Sequence, residues 1–136
     1  MATSTIKVVI ERGDDGTYSA YMDDYTYDFG LIGDGDTVAA TKADFLEAAE
    51  EMKAYYAESG KEFPDVEFRF VYDTASFLSY YAYAFTLAGL GRITGINQSQ
   101  LSHYVTGHRK PSPKTVEKIE TALHAFAAEI QEVTFV

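Results

Sequence analysis

Between Asp73 and Glu117 the chain carries no acidic side chain. This gap interrupts a strongly acidic background, since the whole chain holds 21 acidic against 11 basic residues and a net charge of −10. Residues 1–75 carry 6 basic and 17 acidic side chains, a net of −11, whereas residues 76–136 carry 5 and 4, a net of +1. A chain of 136 residues can form one medium domain or two small ones. A charge step of this size favours two units with different partners. The division is expected at residues 1–73 and 74–136.

A hydrophobic content of 46% is ordinary for packed cores and argues against disorder. The absence of cysteine excludes a disulfide framework and a thiolate metal site. No apolar run approaches the roughly 20 residues that span a bilayer. The N-terminus lacks a basic segment followed by an apolar core, so no secretory signal is read. A cytoplasmic protein with no membrane contact is therefore expected.

In the first unit, residues 5–11 (TIKVVIE) alternate and are β-branched, as a strand requires. Gly13-Asp14-Asp15-Gly16 signals a turn, and residues 17–22 alternate again, so a hairpin is predicted. Residues 23–28 read as a polar, aromatic loop and residues 29–32 as a short third strand. Gly33-Asp34-Gly35-Asp36 reads as a break. Thr37 then stands as an N-cap for a helix over 38–58, with Phe45, Ala48 or Ala49, Met52 and Tyr55 or Tyr56 on its apolar face. Gly60 suits the position after its end. Residues 65–73 alternate Val66, Phe68, Phe70 and Tyr72 against Glu67, Arg69 and Val71, a fourth strand. The expected fold class is α+β: a small antiparallel sheet with one helix, in the order β-β-β-α-β, followed by an all-α domain.

Asp23, Asp24, Asp28, Asp34 and Asp36 fall within fourteen residues. Three readings stay open. Clustered carboxylates can hold two metal ions for nuclease chemistry. Aspartate is also the natural residue of turns. An acidic surface can, thirdly, imitate a phosphate backbone toward a basic protein. No His or Glu in the segment completes a ligand set, so neither a metal nor a cofactor is expected.

In the second unit, Phe77, Tyr80, Tyr81 and Phe85 recur at helical spacing and are read as a core or subunit face. Thr86 caps a predicted helix over 87–94 with Leu90 and Ile93 inward. Asn97 caps another over 98–105, with Leu101, Tyr104 and Val105 inward. Ser112 followed by Pro113 opens a last helix to about residue 131. Val116, Ile119, Leu123, Phe126 and Ile130 form its stripe. The apolar tail from Glu132 to Val136 has β character and is read as a possible strand.

Gly91, Gly95, Ile96 and Leu101 are spaced so that one helix approaches closely, turns at a glycine and locks the next helix against itself. With the trailing Gly107-His108-Arg109-Lys110-Pro111-Ser112, the segment resembles the phage-repressor helix-turn-helix of the Cro/C1 (XRE) family. That resemblance implies that the second of the two helices enters the major groove of DNA. Asn97, Gln98, Ser99 and Gln100 would lie at base edges, with His103 one turn later. Gln can bond adenine through paired hydrogen bonds, and Asn97 can equally serve as a simple cap. Thr106, His108, Arg109 and Lys110 suit phosphate contact, with Lys114 and Arg92 as weaker candidates.

The first unit carries a second resemblance. Gly16-Thr17-Tyr18-Ser19-Ala20 and Gly33-Asp34-Gly35-Asp36-Thr37, leading into a long amphipathic helix, are similar to the N-terminal domain of HicB-type antitoxins. The resemblance implies a degenerate RNase H-like fold without catalysis, which binds a small basic HicA-like ribonuclease toxin. Together the two resemblances imply an antitoxin that neutralises an mRNA-cleaving toxin and represses its own operon as a homodimer or tetramer. It would not be an enzyme. Two alternatives are a stand-alone regulator whose first unit oligomerises or senses a ligand, and an RNase H-like nuclease tethered to DNA.

Overall fold

The structure, a computed structural model, describes residues 3–136. The chain divides into two compact units, Met1–Asp73 and Thr74–Val136. The class is α+β, with a four-stranded sheet in the first unit and short helices in the second.

The first unit runs β1 (Ser4–Arg12), β2 (Tyr18–Met22), β3 (Ile32–Gly35), α1 (Val38–Glu58) and β4 (Val66–Tyr72), with strand order β3-β2-β1-β4. The hairpin forms as its alternation predicts: Val8 lies opposite Met22 and Ile10 opposite Ala20. Its turn closes through Gly13 N–H to Thr17 O at 2.8 Å, with Gly16 at φ 84°. Asp15 Oδ1 accepts from both Thr17 N–H and Thr17 Oγ1, which holds its carboxyl below the usual value.

The sheet is mixed rather than antiparallel. β1, β2 and β3 form an antiparallel meander, but β4 runs parallel to β1. The reason is the length of α1, whose 21 residues span about 30 Å. The helix carries the chain back along the sheet, so β4 begins at the end where β1 began.

The third strand also lies further along than expected. Phe29 and Leu31 are buried anchors of the preceding loop, and the strand is Ile32–Gly35 itself. Gly33 and Gly35 do not break the chain; they let α1 lie against it. A Cβ on Gly33 would come within 2.5 Å of Phe45 N, and one on Gly35 within 2.9 Å of Thr41 N. Glycine in a strand marks such close backbone approach.

Thr37 caps α1 by accepting from Ala40 N–H at 3.0 Å, and Gly60 at φ 72° ends it. Of the paired options on its apolar face, Ala49 and Tyr56 are buried, while Tyr55 is exposed. Phe45 is fully buried and meets Phe68 and Phe70 edge-on at 5.1 and 5.7 Å between ring centroids. Ile6, Val8, Ile10, Ala20 and Met22 complete this layer.

The second unit contains α2 (Thr74–Tyr80), a 3-10 turn (Tyr81–Tyr83), α3 (Leu87–Thr94), α4 (Gln98–Val105) and α5 (Pro113–Gln131). Its core is Leu78, Leu90, Ile96, Leu101, Tyr104 and Ile119. The aromatic stripe read across 77–85 is broken. α2 stops at Tyr80 and tightens into the 3-10 turn, which puts Tyr81 and Phe85 out of helical phase with Phe77, and within α2 it is Leu78 that takes the buried position. Phe77 and Phe85 pack at the margin of the core. On α3 the buried pair is Leu90 and Thr94 rather than Leu90 and Ile93. Thr94 Oγ1 donates to Leu90 O at 2.7 Å and accepts from Ile96 N–H at 3.2 Å, so burial leaves its hydroxyl satisfied. The tail after α5 is not a strand: it is irregular, and Phe135 is exposed. Among the described residues no helix is long and apolar enough to cross a membrane.

Candidate nucleic-acid interface

The geometry of α3, its turn and α4 follows from a few local interactions. Thr86 caps α3 by accepting from Gly89 N–H at 3.0 Å. Gly95 ends it in the left-handed conformation, φ 73°, and donates to Gly91 O at 2.8 Å. That backbone angle carries a steric cost for any residue with a Cβ. At Gly91 a Cβ would meet Ile96 O at 3.1 Å, so the small residue permits the tight return. Ile96 and Leu101 then fill the space between the helices.

Asn97 Oδ1 accepts from Ser99 N–H at 2.8 Å and caps α4. Its side chain is thus occupied by the helix. Gln98 and Ser99 are exposed in the first turn, and no side-chain bond holds them. Gln100 differs: its Nε2 donates to Tyr104 OH at 2.6 Å, which ties it to a core side chain. Among the four first-turn residues named from sequence, Gln98 and Ser99 alone are both exposed and uncommitted.

At the other end of α4, Thr106 Oγ1 folds back onto Ser102 O and His103 O. Gly107 at φ 77° donates to Tyr104 O, and Arg109 N–H donates to His103 O. This folded exit brings His103 and His108 together, their ring centroids 4.9 Å apart. His103, His108, Arg109 and Lys110 are all exposed. The following helix starts as predicted, with Ser112 accepting from Thr115 N–H at 3.2 Å and Pro113 at its first position.

Lys114 is exposed at the start of α5, and Arg92 is exposed on α3. The fold adds one cation that sequence spacing missed. Lys118, exposed on α5, places its Nζ 3.9 Å from where a Cβ on Gly95 would lie, beside the α3–α4 turn. No local pattern links residues 95 and 118; only the packing of α5 against α3 brings them near.

Residues 85–124 match the helix-turn-helix family, a span that covers α3, α4 and the first half of α5. This is a Cro/C1-type helix-turn-helix domain. The match lies wholly within the second unit, and it marks the chain as a DNA-binding transcription regulator. No curated protein matches the chain.

Of the five clustered aspartates, Asp24, Asp28 and Asp34 have structural work. Asp24 Oδ1 accepts from Thr26 N–H and Oγ1, which holds its carboxyl below the usual value. Asp28 accepts from Tyr56 OH, and this bond pushes the phenol up to about 12. Asp34 accepts from Ser19 Oγ at 2.9 Å, while its N–H donates to Asp44. Among the described residues no three His, Cys, Asp or Glu side chains gather into a group that could hold a metal ion.

Proposed function

We propose that the protein is a non-catalytic antitoxin and autorepressor of the HicB type, acting as a homodimer or tetramer. Its helix-turn-helix domain occupies an operator, and its acidic first unit binds a small basic ribonuclease toxin of the HicA type. One observation carries the reading: the 17 acids of residues 1–75 sit on a unit separate from the acid-free α3–turn–α4 segment. Acidic surface repels phosphate but attracts a protein that itself binds phosphate, and such complementarity speeds and selects association.

The local geometry supports each half. Gln98 and Ser99 are free to read base edges in the major groove, with His103 one turn along. His108, Arg109 and Lys110 are exposed cations and donors suited to phosphates, joined by Thr106, Lys114 and Lys118. Asn97 positions the helix by capping it, and Gln100 braces Tyr104. In the first unit, the loop 23–31 is pinned from below. Phe29 packs on Phe63 at 5.0 Å and on Tyr56 at 6.0 Å. Asp23 and Tyr25 are exposed on that anchored loop, a platform suited to a basic partner.

The test is co-purification of the full chain with the product of the adjacent gene, which the proposal requires to be a small basic protein. A stoichiometric complex that dissociates at high salt is the expected result. No complex, with DNA binding intact, would leave the stand-alone regulator as the reading. Metal-dependent cleavage of RNA or DNA by the purified chain, lost on Asp34→Asn, would instead favour the nuclease.

A further inference from the structure

β4 lies at the edge of the sheet, with β1 on one side and no strand on the other among the described residues. It is seven residues long, VEFRFVY, without proline or glycine. Such an edge exposes a row of backbone donors and acceptors that can template another strand. Ser4 N–H donates to Asp65 O, and Asp73 N–H donates to Ile10 O. In a parallel ladder this phase turns the odd-numbered residues of β4 toward β1. Val66, Phe68 and Phe70 therefore present their N–H and C=O groups outward.

The side chains of β4 carry the second observation. Glu67 and Arg69 are exposed on the face away from α1 and flank Phe68. Within the chain Arg69 lies in register with Lys7, a like charge. Among the described residues neither Arg69 nor Glu67 has an ionic partner; the Lys53–Glu50 salt bridge involves neither. On the opposite face Val66, Phe68 and Phe70 are only half-buried, although Phe68 and Phe70 touch the core through Phe45.

We propose that β4 pairs antiparallel with β4 of a second copy about a two-fold axis through Phe68, joining two four-stranded sheets into one. The register is selective. Outward-facing groups must meet outward-facing groups, so the axis can fall only at certain residues. An axis at Glu67 would set Glu67 against Glu67 of the partner subunit. An axis at Arg69 would set two arginines together. The axis at Phe68 sets Glu67 against the partner's Arg69, twice, in the closer non-hydrogen-bonded positions. Directly opposed unlike charges stabilise a strand pair and like charges destabilise it. The same register sets Val66 beside the partner's Phe70 and Phe68 beside the partner's Phe68, covering all three half-buried side chains. A self-complementary patch of this kind is what a two-fold contact requires. The inference does not rest on the toxin or on DNA.

The chain has no cysteine, so paired cysteines can report the register without background. Full-length Glu67→Cys and Arg69→Cys chains, mixed and oxidised, should give a mixed disulfide. Either variant alone should stay largely uncrosslinked, because like positions are offset along the strands. A second series uses sedimentation of the full chain at low salt. Arg69→Glu should weaken the assembly by about tenfold, since it turns two attractions into two repulsions. Glu67→Arg/Arg69→Glu should restore it. Both sites are exposed, so folding is not expected to suffer. Absence of the mixed disulfide, or equal weakening in the single and the double variant, would overturn the proposal.

Discussion

The two units use their polar side chains in opposite ways. In the first unit, aspartates and threonines do structural work on the surface: Asp15, Asp24, Asp28 and Asp34 all accept hydrogen bonds that shape turns and strand ends. Its fold rests on a long-range strand ladder and a core centred on Phe45. In the second unit, structural work falls to a few caps, Thr86, Asn97 and Ser112, and to Thr94 and Gln100. What remains there, Gln98, Ser99, His103, His108, Arg109 and Lys110, is exposed. Side chains with no structural task on a rigid, capped scaffold are the better candidates for recognition. In the first unit, under the function proposed above, recognition rests on summed charge rather than on one carboxylate.

This contrast can be broken from either side. The largest effect is expected at Phe45, fully buried between α1 and β4. Phe45→Ala should cost about 3–5 kcal/mol in the first unit, measured by urea unfolding followed through the sheet signal. Gly33→Ala should also be strongly destabilising, because its Cβ would strike the α1 backbone at 2.5 Å. A mild outcome would mean that α1 does not bear on β3.

Leu101→Ala should cost about 2–5 kcal/mol in the second unit, since the residue is fully buried in a small core. DNA binding should fall with it, while the sheet signal persists. Asn97→Ala should cost about 0.5–2 kcal/mol through loss of the α4 cap. That loss, seen in thermal unfolding, should exceed any change in which base is preferred; a pure shift of base preference would place Asn97 at the bases instead.

The smallest effect concerns acid. Asp15 and Asp24 are held below the ordinary 3.8, chiefly by side-chain hydrogen bonds from Thr17 and Thr26. A carboxyl lowered on folding contributes stability that is present above its unfolded value and lost as pH falls through its folded value. NMR titration should find both carboxyls below 3.8, with the turn amides of Thr17 and Thr26 shifting in step. Thr17→Val should raise Asp15 toward the ordinary value, because it removes the hydroxyl bond while the bond from the backbone N–H of residue 17 stays.

What could be read from the sequence was what local chemistry decides. Thr37, Thr86, Asn97 and Ser112 begin their helices where their capping chemistry predicts, and Gly60 and Gly95 end theirs. The α3–turn–α4 spacing is visible for the same reason: glycine conformation and a side-chain cap act within a few residues. What escaped depends on distant packing. Gly33 and Gly35 look like a turn because their small size answers to α1, not to their neighbours. The parallel direction of β4 follows from the span of α1, and Lys118 reaches the turn only because α5 folds back. Leu78 was hidden by aromatics whose helical phase the 3-10 turn interrupts. At the interface, exposure was legible, but the bond that ties Gln100 to Tyr104 was not.

The most direct test follows binding of the full chain to a palindromic duplex selected from random sequence, by fluorescence anisotropy across a base-substitution series. Gln98→Ala should cost about 1–3 kcal/mol and relax preference at one base position, whereas Arg109→Ala should weaken all sequences alike and lower the salt slope by about one. The same loss from both substitutions at every base position, with no change in salt slope, would contradict the assignment of bases to Gln98 and phosphates to Arg109.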